Sequence, residues 1–99
     1  MVYKVIFKKR CRNKLEKLLI YIENEFGLLV AQKFAVQFQK KINMLQQHPF
    51  IGKQCITIPQ VRSIHVGKYN RLYYKLEASK IIVVNMYDTR IHPKKNKLR

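Results

Sequence analysis

The fold is decided by the stretch VRSIHVGKYNRLYYKLEASKIIVVNMY, residues 61–87. It contains three runs rich in Ile, Val and Tyr, which cover Val61–Val66, Tyr69–Leu76 and Lys80–Tyr87. The links between them, Gly67-Lys68 and Ala78-Ser79, have two residues each and suit tight hairpins. The stretch therefore predicts an antiparallel meander of three strands.

The residues before this meander predict one strand and two helices. Val2–Phe7 is short, β-branched and aromatic, which is typical of a strand. Apolar residues then recur at helical spacing, first between a cap at Asn13 and a stop at Gly27, and again up to the step at His48-Pro49. The two apolar stripes, which we expect in the core, consist of Leu15, Leu18, Leu19, Ile22 and Phe26, and of Ala31, Phe34, Ala35, Phe38, Ile42 and Leu45.

The predicted element order is β-α-α-β-β-β, and we expect an α+β fold. Two amphipathic helices joined at one glycine form an antiparallel hairpin, which would cover one face of a mainly antiparallel sheet. Residues 49–59 are expected to form a loop. A length of 99 residues fits one domain over 1–99, with a basic tail at about residues 91–99.

The charge balance indicates an anionic partner. The chain has 21 Lys+Arg against 5 Asp+Glu, which gives a formal net charge of +16. Solubility alone calls for a net charge of about 2–8. Nucleic acid or an acidic protein is the expected partner, and a basic surface without a specific ligand is the alternative. Five carboxylates in 99 residues nearly exclude a multi-carboxylate metal site.

No membrane, metal or cofactor is expected. The N-terminus has no signal-peptide pattern, and no stretch approaches the roughly 18 apolar residues of a membrane span. Cys11 and Cys55 form a single pair without motif spacing, and the three histidines are far apart in the sequence. We therefore expect a cytoplasmic protein with both thiols reduced.

The last third of the chain concentrates the residues that could act on RNA. Metal-free RNA cleavage needs a base for the 2′-OH, a cation for the phosphorane and an acid for the leaving oxygen. Arg suits the cationic role, His titrates near neutrality, and Tyr can transfer a proton or stack on a base. The candidates are Arg62, His65, Arg71, Tyr87, Arg90 and His92, with Lys53 just before them. The plainer alternatives are strand packing for Tyr87 and a solvated surface for His65 and His92. For Arg62 and Arg71 the alternative is contact with aromatic side chains or an ion pair with Glu77.

The ordered pattern of the chain resembles the RelE/ParE superfamily, the small basic toxins of bacterial type II toxin–antitoxin modules. The resemblance is carried by Leu45-x-x-x-Pro49-x-x-Gly52, Val61-Arg62, Tyr69 to Tyr74, Ile82-Val83-Val84 and Asp88-Thr-Arg90-x-x-Pro93. RelE-like members cut mRNA on the ribosome, whereas ParE-like members share the fold and poison DNA gyrase. Both branches imply an acidic antitoxin as partner.

The resemblance also implies roles for single residues. Likeness to the RelE branch casts Arg62 and Arg71 as phosphate binders, Arg90 as the transition-state cation, and Tyr87 or His92 as the proton-transfer group. The nucleic-acid-binding residues would be Lys53, His65, Lys94 and Lys95. The ending from Asp88 to Pro93 looks at least as much like the ParE branch.

These observations leave three functional hypotheses. The first is a toxin that cleaves mRNA on the ribosome, and the second is a toxin without nuclease activity that poisons DNA gyrase. The third is a nucleic-acid-binding module without toxicity.

Overall fold

A computed structural model describes residues 2–88 of the chain. Its elements are β1 (Lys4–Phe7), α1 (Lys9–Phe26), α2 (Leu28–Gln47), β2 (Lys53–Gln54), β3 (Val61–Val66), β4 (Asn70–Glu77) and β5 (Lys80–Asp88). The predicted order is confirmed, with one addition. The two-residue strand β2 lies within the segment that was predicted to be a loop.

The strands form one five-stranded sheet with the order β1-β5-β4-β3-β2. Strand β1 pairs parallel with β5, and the other neighbours are antiparallel. The helical hairpin packs on one face of this sheet, and the main core lies between the two layers. The expected α+β architecture, with a mainly antiparallel sheet, is therefore confirmed. Within the described residues, neither helix has the length and apolarity to cross a membrane.

The core uses most of both predicted helical stripes. Buried members include Leu18, Ile22, Phe34 and Leu45. Phe26 is an exception, because it is the last residue of α1 and its side chain is 49% exposed. Turns between helices lie at the surface. A helical apolar pattern that continues into a turn therefore predicts more buried residues than the structure has. Ala35 is also exposed.

Helix α1 starts earlier than predicted. Asn13 lies inside the helix, and Lys8 is the N-cap without any side-chain capping bond. The Lys8 N–H still bonds to the Val83 carbonyl, and its own carbonyl accepts the N–H groups of Cys11 and Arg12. The chain thus passes directly from strand pairing into the helix. Local capping preference at Asn13 is overridden by this tertiary pairing.

The turns match the prediction at one of the two hairpins. Ala78-Ser79 is a two-residue turn, with Ala78 at φ 53°. The first hairpin instead turns over residues 67–69, so β4 begins at Asn70 rather than at Tyr69. Gly67 has φ 66°, which is a conformation that favours glycine.

A β-bulge in β5 determines which side chains reach each face. Tyr73 pairs with Asn85 while Tyr74 pairs with Val83, so Val84 is an extra residue. Val83 and Met86 both face the helices as a result. Regular alternation along this strand would have placed them on opposite faces.

Candidate functional site

The sheet face turned away from the helices, which we call the outer face, aligns the polar residues of three strands. Strand register places Arg71 between His65 on β3 and Tyr87 on β5. The neighbouring row contains Ser63, Tyr73 and Asn85. Strand β2 adds Lys53, which pairs with Ser63 at the sheet edge.

Arg71 connects two side chains of the neighbouring strand β3. One guanidinium nitrogen lies 2.8 Å from His65 Nε2, and another donates to the Ser63 hydroxyl at 3.2 Å. Because a guanidinium only donates hydrogen bonds, His65 Nε2 must accept. The His65 ring is therefore neutral, with its proton on Nδ1.

The electrostatic environment favours this neutral form. Partial burial lowers the pKa of His65 below its usual value, and the cations of Arg71 and Lys41 lower it further. Lys41 belongs to α2, so a charge on the helical layer influences a side chain on the outer face. Neutral His65 thus contacts the cation of Arg71 and is influenced by the charge of Lys41.

Tyr87 is fixed from three sides. Its ring meets the Tyr73 ring edge-on, with centroids 5.9 Å apart. The Asn85 amide donates to its hydroxyl oxygen at 3.0 Å, and the Lys14 ammonium lies 4.3 Å from its ring centroid. Lys14 also donates to Asn85 Oδ1 at 2.7 Å, which joins α1 to this cluster. The Tyr87 hydroxyl uses its oxygen as an acceptor here, and a phenol can also donate its own proton.

A small second hydrophobic core lies on the outer face of the sheet. It contains Cys55, Val61 and Tyr73, with Ile58 and Val84 packed against them. Burial raises the pKa of the Cys55 thiol, and the positive charge of Arg71 opposes that rise. The segment between β2 and β3 therefore covers part of the outer face, beside Tyr87.

Arg62 has different hydrogen-bond partners from Arg71. It lies on β3 opposite Tyr74, one residue out of phase with the outer-face positions Ser63 and His65. Its guanidinium donates to the carbonyls of Gly52 at 2.8 Å and Phe50 at 3.2 Å, and it lies over the Phe50 ring. These bonds attach the segment before β2 to the sheet.

The structure thus brings together part of the set that we predicted. Arg71, His65, Tyr87 and Lys53 share the outer face, whereas Arg62 is directed to the loop backbone. The remaining candidates lie outside the described residues: Arg90, His92, Lys94 and Lys95.

Sequence reasoning missed Lys14, Lys41 and Asn85. The two lysines are helical residues far from the meander in sequence, and nothing in their local pattern marks them. Asn85 did carry a signal, because it is an amide within the apolar run of β5. Its 7% exposure shows that this amide is buried.

The arrangement is suited to holding an anion. Arg71, Lys14 and Lys53 carry positive charge, and His65 Nδ1–H and the Tyr87 hydroxyl are additional donors. A general base needs an available lone pair, and the acceptor nitrogen of His65 is occupied by Arg71. Within residues 2–88 no three His, Cys, Asp or Glu side chains are placed to hold a metal ion.

Solved structures of other proteins share this fold. The chromosomal ParDE toxin–antitoxin system from P. aeruginosa superposes with a TM-score of 0.73 at 13% identity, covering 88% of this chain and 96% of that chain. The RelBE2 complex from Mycobacterium tuberculosis gives 0.57 at 18% identity, with coverages of 89% and 99%. A conserved hypothetical protein of Helicobacter pylori gives 0.59 at 19% identity, with coverages of 89% and 96%.

The sequence matches a family model over most of its length. Residues 5–91 match the model described as the ParE toxin of the type II toxin–antitoxin system parDE. No curated protein matches the sequence.

Proposed function

This chain belongs to the ParE toxin family of type II toxin–antitoxin systems, and we propose that it stops growth by inhibiting DNA gyrase. The family match favours the ParE branch over the RelE branch. The single structural observation that supports this choice is the contact between His65 and Arg71.

That contact removes one candidate for a general base among the described residues. RNA cleavage at neutral pH requires a group that takes the 2′-OH proton. Nε2 of His65 accepts a hydrogen bond from Arg71 at 2.8 Å, and burial together with the cations of Arg71 and Lys41 disfavours the imidazolium form. The described part of the outer face can therefore bind an anion more readily than it can move a proton.

A supercoiling assay tests this function. Purified chain is added to bacterial gyrase and relaxed plasmid, and we expect loss of supercoiling with accumulation of cleaved DNA. In cells, induction should produce double-strand breaks and an SOS response while mRNA stays intact. Gyrase that keeps supercoiling in excess chain would refute the proposal.

The second candidate is ribosome-dependent mRNA cleavage. It is favoured by the alignment of Arg71, His65 and Tyr87 in one row across three strands. In this mechanism Arg71 binds the phosphate and the Tyr87 hydroxyl, held by Asn85, protonates the leaving oxygen. His92 would take the 2′-OH proton, and Arg90 would stabilise the phosphorane. Arg90 and His92 remain predicted members of the site.

Primer extension distinguishes the two candidates. Ribosomes carrying a defined mRNA and an empty A site are incubated with the purified chain, and new 5′ ends are mapped. Cuts within the A-site codon that disappear in Arg71→Ala, but not in Lys80→Ala, would establish the nuclease. Lys80 is a suitable control because it is an exposed cation at the start of β5.

An acidic antitoxin is the proposed partner, and a groove between α2 and the β3–β4 turn is the proposed place of contact. The groove has a volume of about 330 Å³, an apolar floor that includes Phe34 and Val66, and Lys33 and Lys68 at its sides. Asn70 also lines it, and among the described residues the buried Oδ1 of Asn70 has no hydrogen-bond partner. An acidic amphipathic segment would supply apolar side chains, carboxylates and an N–H donor together.

The probe for this partner is the protein encoded by the reading frame next to the gene for this chain. We expect it to be acidic, to bind the purified chain and to restore growth. The double change Lys33→Glu and Lys68→Glu should weaken its binding by at least ~100-fold, since two attractions become repulsions. The matched pair Lys4→Glu and Lys80→Glu, which alters two exposed lysines paired across β1 and β5, should bind like the wild type.

A further inference from the structure

The orientation of the Asn85 amide is fixed by two hydrogen-bond donors. Its Oδ1 accepts from the Lys14 ammonium at 2.7 Å and from the Met86 N–H at 2.9 Å. An amide in the reverse orientation would turn its own NH2 group toward both donors, and donors do not bond to each other. Asn85 is buried, so water does not replace these partners at low cost. The Asn85 NH2 group therefore faces away from Lys14 and Met86.

The Asn85 NH2 group faces the side chain of Tyr87. Asn85 Nδ2 lies 3.0 Å from the Tyr87 hydroxyl oxygen, and an amide nitrogen can only donate. The hydroxyl oxygen accepts this bond, so its single proton is directed toward a different group. Lys14 and Asn85 together thus determine the hydrogen-bonding direction of the Tyr87 hydroxyl.

Arg71 is the register partner of Tyr87 on the neighbouring strand β4. The Cβ atoms of such partners are about 4.5–5.5 Å apart and lie on the same face of the sheet. The Arg71 guanidinium contacts Ser63 and His65 through two of its nitrogens, and it has more N–H groups than these two bonds use. An oxyanion beside Arg71 and Tyr87 would therefore meet a cation and a directed hydroxyl donor together.

We propose that Lys14 and Asn85 are positioning residues, which fix the Tyr87 hydroxyl as a hydrogen-bond donor to a nucleic-acid phosphate on the outer face. A formal charge of +16 favours phosphate as the ligand. Both functions considered above bring nucleic acid to the chain, DNA with gyrase and mRNA with the ribosome. The proposal rests on contact between the outer face and the target complex, and it holds for either target.

The amide at position 85 is difficult to explain by packing alone. It lies in the apolar run of β5, where an apolar side chain of similar size would need no hydrogen-bond partners. Lys14 loses rotamer freedom when its ammonium is held at Asn85 Oδ1 and over the Tyr87 ring. Orientation of the Tyr87 hydroxyl gives this costly arrangement a function.

Binding of short nucleic acids tests the proposal without gyrase or ribosomes, so its failure is distinct from failure in the supercoiling assay. Labelled single-stranded hexanucleotides, one of DNA and one of RNA with the same sequence, are titrated by fluorescence anisotropy at about 150 mM NaCl. Tyr87→Phe removes the hydroxyl, and Asn85→Asp replaces the NH2 donor with an acceptor of the same shape. The double variant completes a mutant cycle. Circular dichroism checks that each variant is folded.

The hydroxyl itself should account for a measurable part of the affinity. We expect at least ~10-fold weaker binding for Tyr87→Phe, because a hydrogen bond to a charged group is lost. The matched control Tyr69→Phe, at an exposed tyrosine, should bind like the wild type. The losses should be equal for DNA and RNA, since the hydroxyl contacts phosphate and not sugar. Unchanged binding by Tyr87→Phe, or a loss confined to one nucleic acid, overturns the proposal.

The mutant cycle tests the positioning role of Asn85. Asn85→Asp should weaken binding at least ~10-fold, because the new carboxylate accepts the Tyr87 proton and repels phosphate. In the Tyr87→Phe background the same change should cost no more than ~3-fold, since only the repulsion remains. Equal losses from Asn85→Asp in the two backgrounds overturn the positioning role.

Lys14→Met provides an independent test if Asn85→Asp does not fold. It removes one of the two bonds that hold Asn85 Oδ1, and Lys80→Met is the matched control because it removes an exposed positive charge. Lys14→Met should weaken binding about 3–10-fold more than Lys80→Met does. This difference should disappear in the Tyr87→Phe background. A difference that persists there would show that Lys14 acts on the ligand directly, which overturns its positioning role.

Discussion

The Tyr74 hydroxyl is hydrogen-bonded to the backbone of Gly52, the residue that precedes β2, and to the backbone of Pro49. It accepts the Gly52 N–H at 2.9 Å and donates to the Pro49 carbonyl at 2.8 Å. A Cβ atom at position 52 would lie 2.5 Å from this hydroxyl and 3.0 Å from the Ser63 carbonyl. Tyr74 is wholly buried, so neither partner can move away at low cost.

The first prediction concerns the space at Gly52. Gly52→Ala should reduce the free energy of unfolding by about 1–3 kcal/mol, because the added methyl overlaps a buried hydroxyl and a backbone carbonyl. Urea denaturation measures the change. Gly27→Ala is a useful contrast, since its Cβ would meet no atom within 4 Å and only the backbone strain at φ 95° would contribute. A stability for Gly52→Ala equal to that of the wild type would contradict the close approach.

The second prediction removes the hydroxyl itself. Tyr74→Phe leaves the Gly52 N–H and the Pro49 carbonyl without their buried partner, which should cost about 1–3 kcal/mol of unfolding free energy. The same change at Tyr69, whose side chain is 38% exposed, should stay within about 0.5 kcal/mol. Similar losses in the two variants would show that the Tyr74 hydroxyl has no special role.

The third prediction separates the two arginines. Arg62→Ala should lower the free energy of unfolding by about 1 kcal/mol, because two backbone carbonyls lose a charged donor. Arg62→Lys should recover little of that loss, since one ammonium does not reproduce the planar donor geometry. Arg71→Ala should lower the free energy of unfolding less than Arg62→Ala does, and it should reduce the inhibition of growth more. A destabilised Arg71→Ala with a fully stable Arg62→Ala would reverse these assignments.

The fourth prediction is a pH dependence centred on His65. Its pKa in the folded chain lies below the value in the unfolded chain, first because of burial and then because of Arg71 and Lys41. The unfolded chain therefore binds more protons as the pH falls below about 6.5, and the contribution of His65 to stability is lost in that direction. Above that value the contribution is fully present.

NMR titration of the His65 ring measures this shift directly. In Arg71→Ala the pKa should rise toward about 6.5 without reaching it, because burial, the largest cause, remains. Lys41→Gln should produce a smaller rise, since Lys41 is the weakest of the three causes. An unchanged pKa in Arg71→Ala would show that the guanidinium does not influence the imidazole.

The fifth prediction concerns Cys11, which is completely buried on α1. Burial raises the pKa of this thiol to about 11, against the opposing effect of Lys14 and Arg10. At pH 8 only about one thiol in a thousand is then ionised, so alkylation should be very slow. In a Cys55→Ser background, the alkylation rate of Cys11 should increase with urea in parallel with unfolding. Rapid alkylation in native buffer would contradict the burial.

The sequence alone identified the elements and their order, apart from the two-residue strand β2. Helical spacing identified both helices, and runs rich in Ile, Val and Tyr between two-residue links identified β3, β4 and β5. These signals are local, because a residue's neighbours at three, four or two positions away determine which face it shares. Gly27 and the step at His48 ended the helices as predicted. The charge of +16 and the ordered residue pattern led to the toxin family.

Only the tertiary structure decided how the candidate residues meet. The bulge at Val84 placed Asn85 and Tyr87 on the outer face, and one unpaired residue of this kind cannot be located from alternation. Arg62 and Arg71 look alike in the sequence, yet one bonds to loop carbonyls and the other to His65. Lys14 reaches Asn85 across a separation of 71 residues. Contacts at such separations depend on strand register and layer packing, which no local pattern encodes.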